Sequence, residues 1–190
     1  MTGTAGAAEQ KLRQWVDTYA RLHSGNDTWR YRSFAALVAE FGVIYHPSPW
    51  PGDRPCGRPG RCFEEASRYA DATGATYVEG FVLVSDAPLM FPVFEHAWCL
   101  TAQGAVADTT IPDGGALLYL GVPLHAAFRR AAQARRRTWA ALTYDPDNLQ
   151  ADVNDVVLKA GLPPGALALP NTPAPPLGEP GPLAQEVPCP

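Results

Sequence analysis

The sequence predicts an α+β fold in which helices pack on one side of an antiparallel sheet. Two observations support this prediction. Apolar residues recur at helical spacing up to residue 73, whereas the next part of the chain holds strand-like runs that mostly follow one another. A length of 190 residues and a hydrophobic content of 46% are sufficient for one domain with its own core.

Three helices are predicted before the sheet. Residues 7–23 and about 28–41 each place apolar side chains on one side of a helix. Residues 43–60 hold five prolines and three glycines, which predicts a long irregular loop. The third helix, over residues 62–73, begins directly at Cys62.

The sheet is predicted from four apolar runs after the third helix. They cover residues 76–84, 94–101, 105–110 and 117–121. A further helix is expected over 123–137 and a last one over about 147–160, whereas T-W-A-A-L-T-Y between them fits no single pattern.

A change of composition divides the chain near its end. Residues 1–160 are predicted to form one α+β domain and residues 161–190 a proline-rich tail, which holds ten of the 20 prolines and no Lys or Arg. Such a composition favours extended or polyproline conformation. Docking along the domain, disorder, and binding of a partner to the tail all remain open.

Charge and hydropathy exclude several classes of protein. A net charge of −4 argues against nucleic acid or an anionic membrane as the main partner. The sequence has no apolar run of the roughly 20 residues that a membrane span needs, and its start lacks the pattern of a secretory signal. We therefore predict a cytoplasmic protein whose four cysteines are free thiols.

Cys62 is the first candidate for chemistry. Unpaired N–H groups at a helix start carry partial positive charge and stabilise a thiolate. An imidazole beside the thiol can stabilise it further and protonate a leaving group, provided that an acceptor fixes its tautomer. A small buried residue at a helix start is the alternative interpretation.

His96 and Asp108 are predicted to supply that imidazole and acceptor. If residues 102–104 form a three-residue hairpin loop with Gly104 in the left-handed conformation, His96 and Asp108 become diagonal neighbours on one face. A two-residue loop would shift the register and place them on opposite faces.

Three further residues are candidates for a substrate cleft: Glu79, Trp98 and His46. Glu79 is polar within an apolar strand, so it is either exposed or paired, while Trp98 either packs in the core or walls a cleft. No metal or other cofactor is expected, because Cys99 should face away from His96 and the cysteines lack paired zinc-ligand spacing.

Four segments, G-R-C-F-E-E-A, Y-V-E-G-F, E-H-A-W-C-L and V-A-D-T-T, together resemble the transglutaminase-like branch of papain-fold cysteine enzymes. The resemblance covers about Gly60 to Gly121 and implies a papain/transglutaminase-like core with a catalytic triad. The matching positions are Cys62, His96 and Asp108. Phe63 stands where that family often has Trp, and no Gln or Asn is an obvious oxyanion donor in the segment before Cys62.

The resemblance implies thiol chemistry on amides through a thioester: proteolysis, deamidation or transfer to an amine. The substrate would be a peptide, a protein or a small amide. The alternative is a non-catalytic binding module of the same fold, in which the triad is vestigial.

Overall fold

The computed structural model describes residues 2–22, 27–50, 57–85, 91–144 and 153–168. Over these residues the chain has the predicted α+β architecture. The helices are α1 (Thr2–Leu22), α2 (Phe34–Phe41), α3 (Cys62–Thr73), α4 (Ala126–Arg136) and α5 (Asp155–Ala160). None of the helices in these ranges is both long and apolar enough to cross a membrane.

One antiparallel sheet organises the described strands. They are β1 (Val43–Tyr45), β2 (Thr76–Val84), β3 (Val93–Leu100), β4 (Val106–Ala107) and β5 (Ala116–Leu124), in the spatial order β1-β5-β2-β3-β4. Because β2 and β5 each pair with a strand on both sides, nearly all of their residues are buried, and their sequences are mostly apolar rather than alternating.

The sheet has two different faces. Tyr77, Phe81 and Cys99 lie on the face that packs with the helices in the larger core. Trp98 and Tyr119 lie on the other face, in a smaller core. Side chains alternate between these faces along each strand, and His96 lies with Trp98 on the second face.

Several boundaries differ from the prediction. The second helix begins at Phe34 rather than near residue 28, because the Ser33 hydroxyl caps it by accepting the N–H of Ala36 at 3.1 Å. The segment predicted as an irregular loop begins with β1, which pairs with β5. The last helix begins at Asp155; residues 145–152 lie outside the described ranges.

The third and fourth predicted strands also change length. β4 ends at Ala107, three residues early, because the chain turns there to direct backbone N–H groups at the Asp108 carboxylate. The fourth predicted strand extends to Ala116–Leu124, since both of its edges are paired.

The first residues after the predicted domain boundary pair with the sheet. Leu167 forms a bridge with Leu124, and the N–H of Ala168 donates to the Pro123 carbonyl at 3.0 Å. Ala166 is buried, so residues 161–168 pack as part of the domain. Residues 169–190 lie outside the described ranges.

Candidate active site

The hairpin between β3 and β4 has the predicted register. Leu100 pairs with Val106, and the N–H of Thr101 donates to the Ala105 carbonyl at 2.9 Å. Gly104 closes the three-residue loop with φ of +78°, a conformation that glycine adopts without steric cost. The predicted hairpin is confirmed.

His96 and Asp108 meet on one face of this hairpin. The His96 Nε2–H donates to Asp108 Oδ2 at 2.7 Å, and both side chains are buried. The short distance is typical of a charge-assisted hydrogen bond. Sequence reasoning therefore found the pair and its geometry.

The Asp108 carboxylate is held on both oxygens. Oδ1 accepts the N–H groups of Thr110 and Ile111 at 2.9 and 3.0 Å and the Thr110 hydroxyl at 3.1 Å. Oδ2 accepts the Tyr119 hydroxyl at 3.0 Å in addition to His96. These donors fix the orientation of the carboxylate and compensate for its burial.

The pair favours its charged form. Burial alone would raise the pKa of Asp108, but His96 and the two backbone N–H groups hold that pKa well below its usual range. Burial would likewise lower the pKa of His96, but the Asp108 carboxylate and the Cys62 side chain raise it to about 10. At neutral pH the site is an imidazolium paired with a carboxylate.

Cys62 belongs to a different element, α3. It is the first residue of α3, its side chain is half-buried, and Arg61 before it provides no side-chain cap for the helix. Cys62 packs against the larger core on the helix side of the sheet, and its charge contributes to the raised pKa of His96. Because Nε2 is bound to Asp108, Nδ1 is the ring nitrogen available to the thiol.

Arginines offset the negative charge that α3 carries near the thiol. Glu64 is buried in the first turn, where it binds Arg58 and Arg68 at 2.7 Å and Arg61 at 3.3 Å. Without these partners, a carboxylate two residues from Cys62 would oppose formation of a thiolate.

An aromatic enclosure surrounds the imidazole. Trp98 stacks on His96 with ring centroids 6.3 Å apart and planes 15° apart, and Phe94 presents an edge at 6.0 Å. Trp98 fits because Gly121 lies below it: a Cβ at Gly121 would be 2.4 Å from Trp98 Cη2. The rings exclude water from His96 and hold its plane.

A cleft of about 190 Å³ opens beside Asp108 and Tyr119. Residues 47–50 and 111–114 form its walls, and the Trp50 N–H donates to Asp113 Oδ2 across it at 3.2 Å. Neither Cys62 nor His96 lines this cleft, so it lies on the carboxylate side of the pair.

Glu79, Trp98 and His46, the three candidates for a substrate cleft, lie outside the lining of the cleft beside Asp108. Glu79 is fully buried on the helix-facing side of the sheet, whereas its neighbour Gly80 pairs with His96 on the opposite face. Trp98 is fully buried under the imidazole, and His46 is exposed beside the cleft without lining it. Glu79 is paired and Trp98 packs in the core, as the alternatives for these two residues allowed.

Glu79 instead binds the segment T-W-A-A-L-T-Y, residues 138–144, whose structure the sequence did not predict. Its carboxylate accepts the N–H groups of Ala141, of Leu142 at 2.8 Å and of Thr143 at 3.2 Å, and the Tyr77 hydroxyl at 2.8 Å. Burial raises the pKa of Glu79, while these donors oppose that effect. Residues 138–144 are consequently a largely buried irregular segment.

Sequence reasoning missed Tyr119. It stands in the apolar run L-L-Y-L-G with no local signal, and only the pairing of β5 with β2 brings it to the face of His96. Cys99 was placed correctly: its Sγ–H donates to the Ala66 carbonyl at 3.1 Å, away from His96.

Among the residues that the structure describes, no three His, Cys, Asp or Glu side chains are grouped so that they could hold a metal ion. The chain was also compared with known proteins. No protein-family model, curated protein or solved structure matches it.

Proposed function

We propose that this protein is a cysteine-dependent amide hydrolase or acyltransferase that works through a thioester. The observation that carries the proposal is the buried His96–Asp108 pair, in which His96 Nε2–H donates to the carboxylate, together with the effect of the Cys62 side chain, which raises the pKa of His96. This is the arrangement that thiol nucleophiles require, because the base is itself oriented by a third group. The resemblance to transglutaminase-like enzymes supports the same three roles.

The first half of the reaction uses the pair in its charged form. The Cys62 thiolate attacks the amide carbonyl carbon, and the electron pair of the C=O bond moves to the oxygen. The N–H of Cys62 is one donor available to that oxyanion. When the oxyanion collapses, the C–N bond breaks, the His96 imidazolium gives its Nδ1 proton to the departing nitrogen, and an amine leaves.

The second half returns the enzyme to its starting state. Neutral His96 takes a proton from water or from an acceptor amine, which attacks the thioester carbonyl. The C–S bond then breaks and restores the thiolate beside an imidazolium. Water yields a carboxylic acid, and an amine yields a new amide.

Selective alkylation tests the proposal without a known substrate. Iodoacetamide at pH 6 should label Cys62 far faster than Cys99, which is buried and whose pKa burial raises. Peptide mass spectrometry reads the site, and Cys62→Ala is the control that should abolish the fast phase. Equal, slow labelling of all cysteines would instead support a binding module with a vestigial triad.

His96→Ala provides the second arm of this test. Loss of the imidazolium should slow alkylation of Cys62 to the rate of an ordinary thiol, which is almost fully protonated at pH 6. A rapid reaction that persists in His96→Ala would show that the helix start alone activates the thiol.

A further inference from the structure

We infer that Tyr119 is a positioning residue of this site, and that its hydroxyl tunes the Asp108 carboxylate against His96. The inference rests on the proposed function. Tyr119 belongs to β5, and β2 and β3 lie between β5 and β4 in the sheet. Its hydroxyl nevertheless reaches Asp108, at the end of β4, at 3.0 Å.

The two donors on Oδ2 compete for the same charge. His96 Nε2–H and the Tyr119 hydroxyl both bind Oδ2, whereas the Thr110 and Ile111 N–H groups and the Thr110 hydroxyl bind Oδ1. A donor that shares the negative charge weakens the attraction between the carboxylate and the imidazolium. Tyr119 therefore limits how strongly Asp108 stabilises the imidazolium form of His96, whose Nδ1 proton must be released during catalysis.

Packing supports a role for the hydroxyl separate from that of the ring. The Tyr119 ring is buried against Trp98, with centroids 4.9 Å apart, and is tilted 30° from the imidazole plane. Tyr119→Phe keeps this ring and removes only the donor. The three donors on Oδ1 still hold the carboxylate, so the fold should be retained.

Tyr45 offers a matched control. It lies directly opposite Tyr119 on the neighbouring strand β1 and contacts the same tryptophan, with centroids 6.1 Å apart. Within the described part of the chain its hydroxyl has no hydrogen bond to Asp108. Tyr45→Phe therefore removes a hydroxyl from the same aromatic cluster without changing the donors on the carboxylate.

The test is the proton resonance of His96 Nε2–H, observed by NMR at low temperature in the wild type and in both variants. Tyr119→Phe should move this resonance downfield and raise the pH at which the imidazolium titrates, because Oδ2 then loses the donor that shares its charge with His96. Tyr45→Phe should leave both unchanged. Unchanged values in a folded Tyr119→Phe protein would overturn the inference.

A second variant covers the case in which Tyr119→Phe fails to fold. Incorporation of 3-fluorotyrosine at position 119 retains the ring and makes the hydroxyl a stronger donor, so the resonance should move upfield. No movement would again overturn the inference. Because this readout concerns only the His96–Asp108 pair, it is independent of Cys62 alkylation, whose failure would count against the proposed function alone.

Discussion

Replacing Asp108 with Asn tests the electrostatic basis of the site most directly. Three donors converge on Oδ1, so the amide oxygen of Asn must occupy that position. The amide NH₂ then faces His96 and the Tyr119 hydroxyl. His96 can meet an NH₂ group only with Nε2 as acceptor, which places the ring proton on Nδ1. In that tautomer, neutral His96 cannot accept a proton from Cys62.

The size of the effect follows from the pKa of His96. The Asp108 carboxylate, together with Cys62, raises this pKa from 6.5 to about 10 against the opposing effect of burial. Without the carboxylate we expect a pKa near the ordinary 6.5, which leaves about a tenth of the imidazole protonated at pH 7.5. Breaking a buried ion pair also lowers the free energy of unfolding by about 3–5 kcal/mol.

The assay is the rate of Cys62 alkylation by iodoacetamide as a function of pH. At pH 7.5 the rate in Asp108→Asn should be about a tenth of the wild-type rate, because only about a tenth of His96 then carries the positive charge that stabilises a thiolate. The effect is less complete than in Cys62→Ala, which removes the nucleophile itself. Asp113→Asn makes the same chemical change at the exposed cleft residue and should leave the rate unchanged.

One result would refute the reasoning. If Asp108→Asn is folded by circular dichroism and Cys62 is alkylated at the wild-type rate across this pH range, then Asp108 does not determine the charge of His96. The proposed triad would then be a structural pair beside an unrelated cysteine.

Three further predictions concern stability. In Gly121→Ala the new Cβ would displace Trp98 and with it the stacked imidazole. The free energy of unfolding in urea should therefore fall by about 1–3 kcal/mol, and Cys62 alkylation should slow. Wild-type values of both would show that the Trp98 ring can move aside freely. The folded state raises the pKa of His96, so protonation of His96 stabilises the folded protein fully below pH 6.5, and this stabilisation is lost as pH rises toward 10. The free energy of unfolding, measured by urea titration, should therefore decline over this pH range, and it should decline less in Asp108→Asn. Truncation after Ala160 should lower Tm relative to truncation after Ala168, since only the shorter chain lacks the pairing with β5; equal Tm values would show that residues 161–168 contribute nothing.

Local patterns in the sequence were sufficient for the central part of the site. The helix over 62–73 was predicted with its observed bounds, because its apolar face and the glycine after it are read from neighbouring residues. The register that joins His96 to Asp108 followed from strand alternation and from one turn glycine. In both cases the determining interactions lie within about a dozen residues of the chain.

Long-range packing decided the rest. The sequence predicted that Glu79 and His96 lie on two strands, but it did not predict how these strands pair. The pairing of β2 with β3 puts the two side chains on opposite faces of the sheet. The order of strands in the sheet brought Tyr119 to Asp108, and contact with residues 141–143 gave the Glu79 carboxylate its donors. The periodicity of a sequence shows which residues share a face of one helix or strand. Which helices and strands pack together depends on how all their apolar faces are buried at once, and this is decided only by the folded chain as a whole.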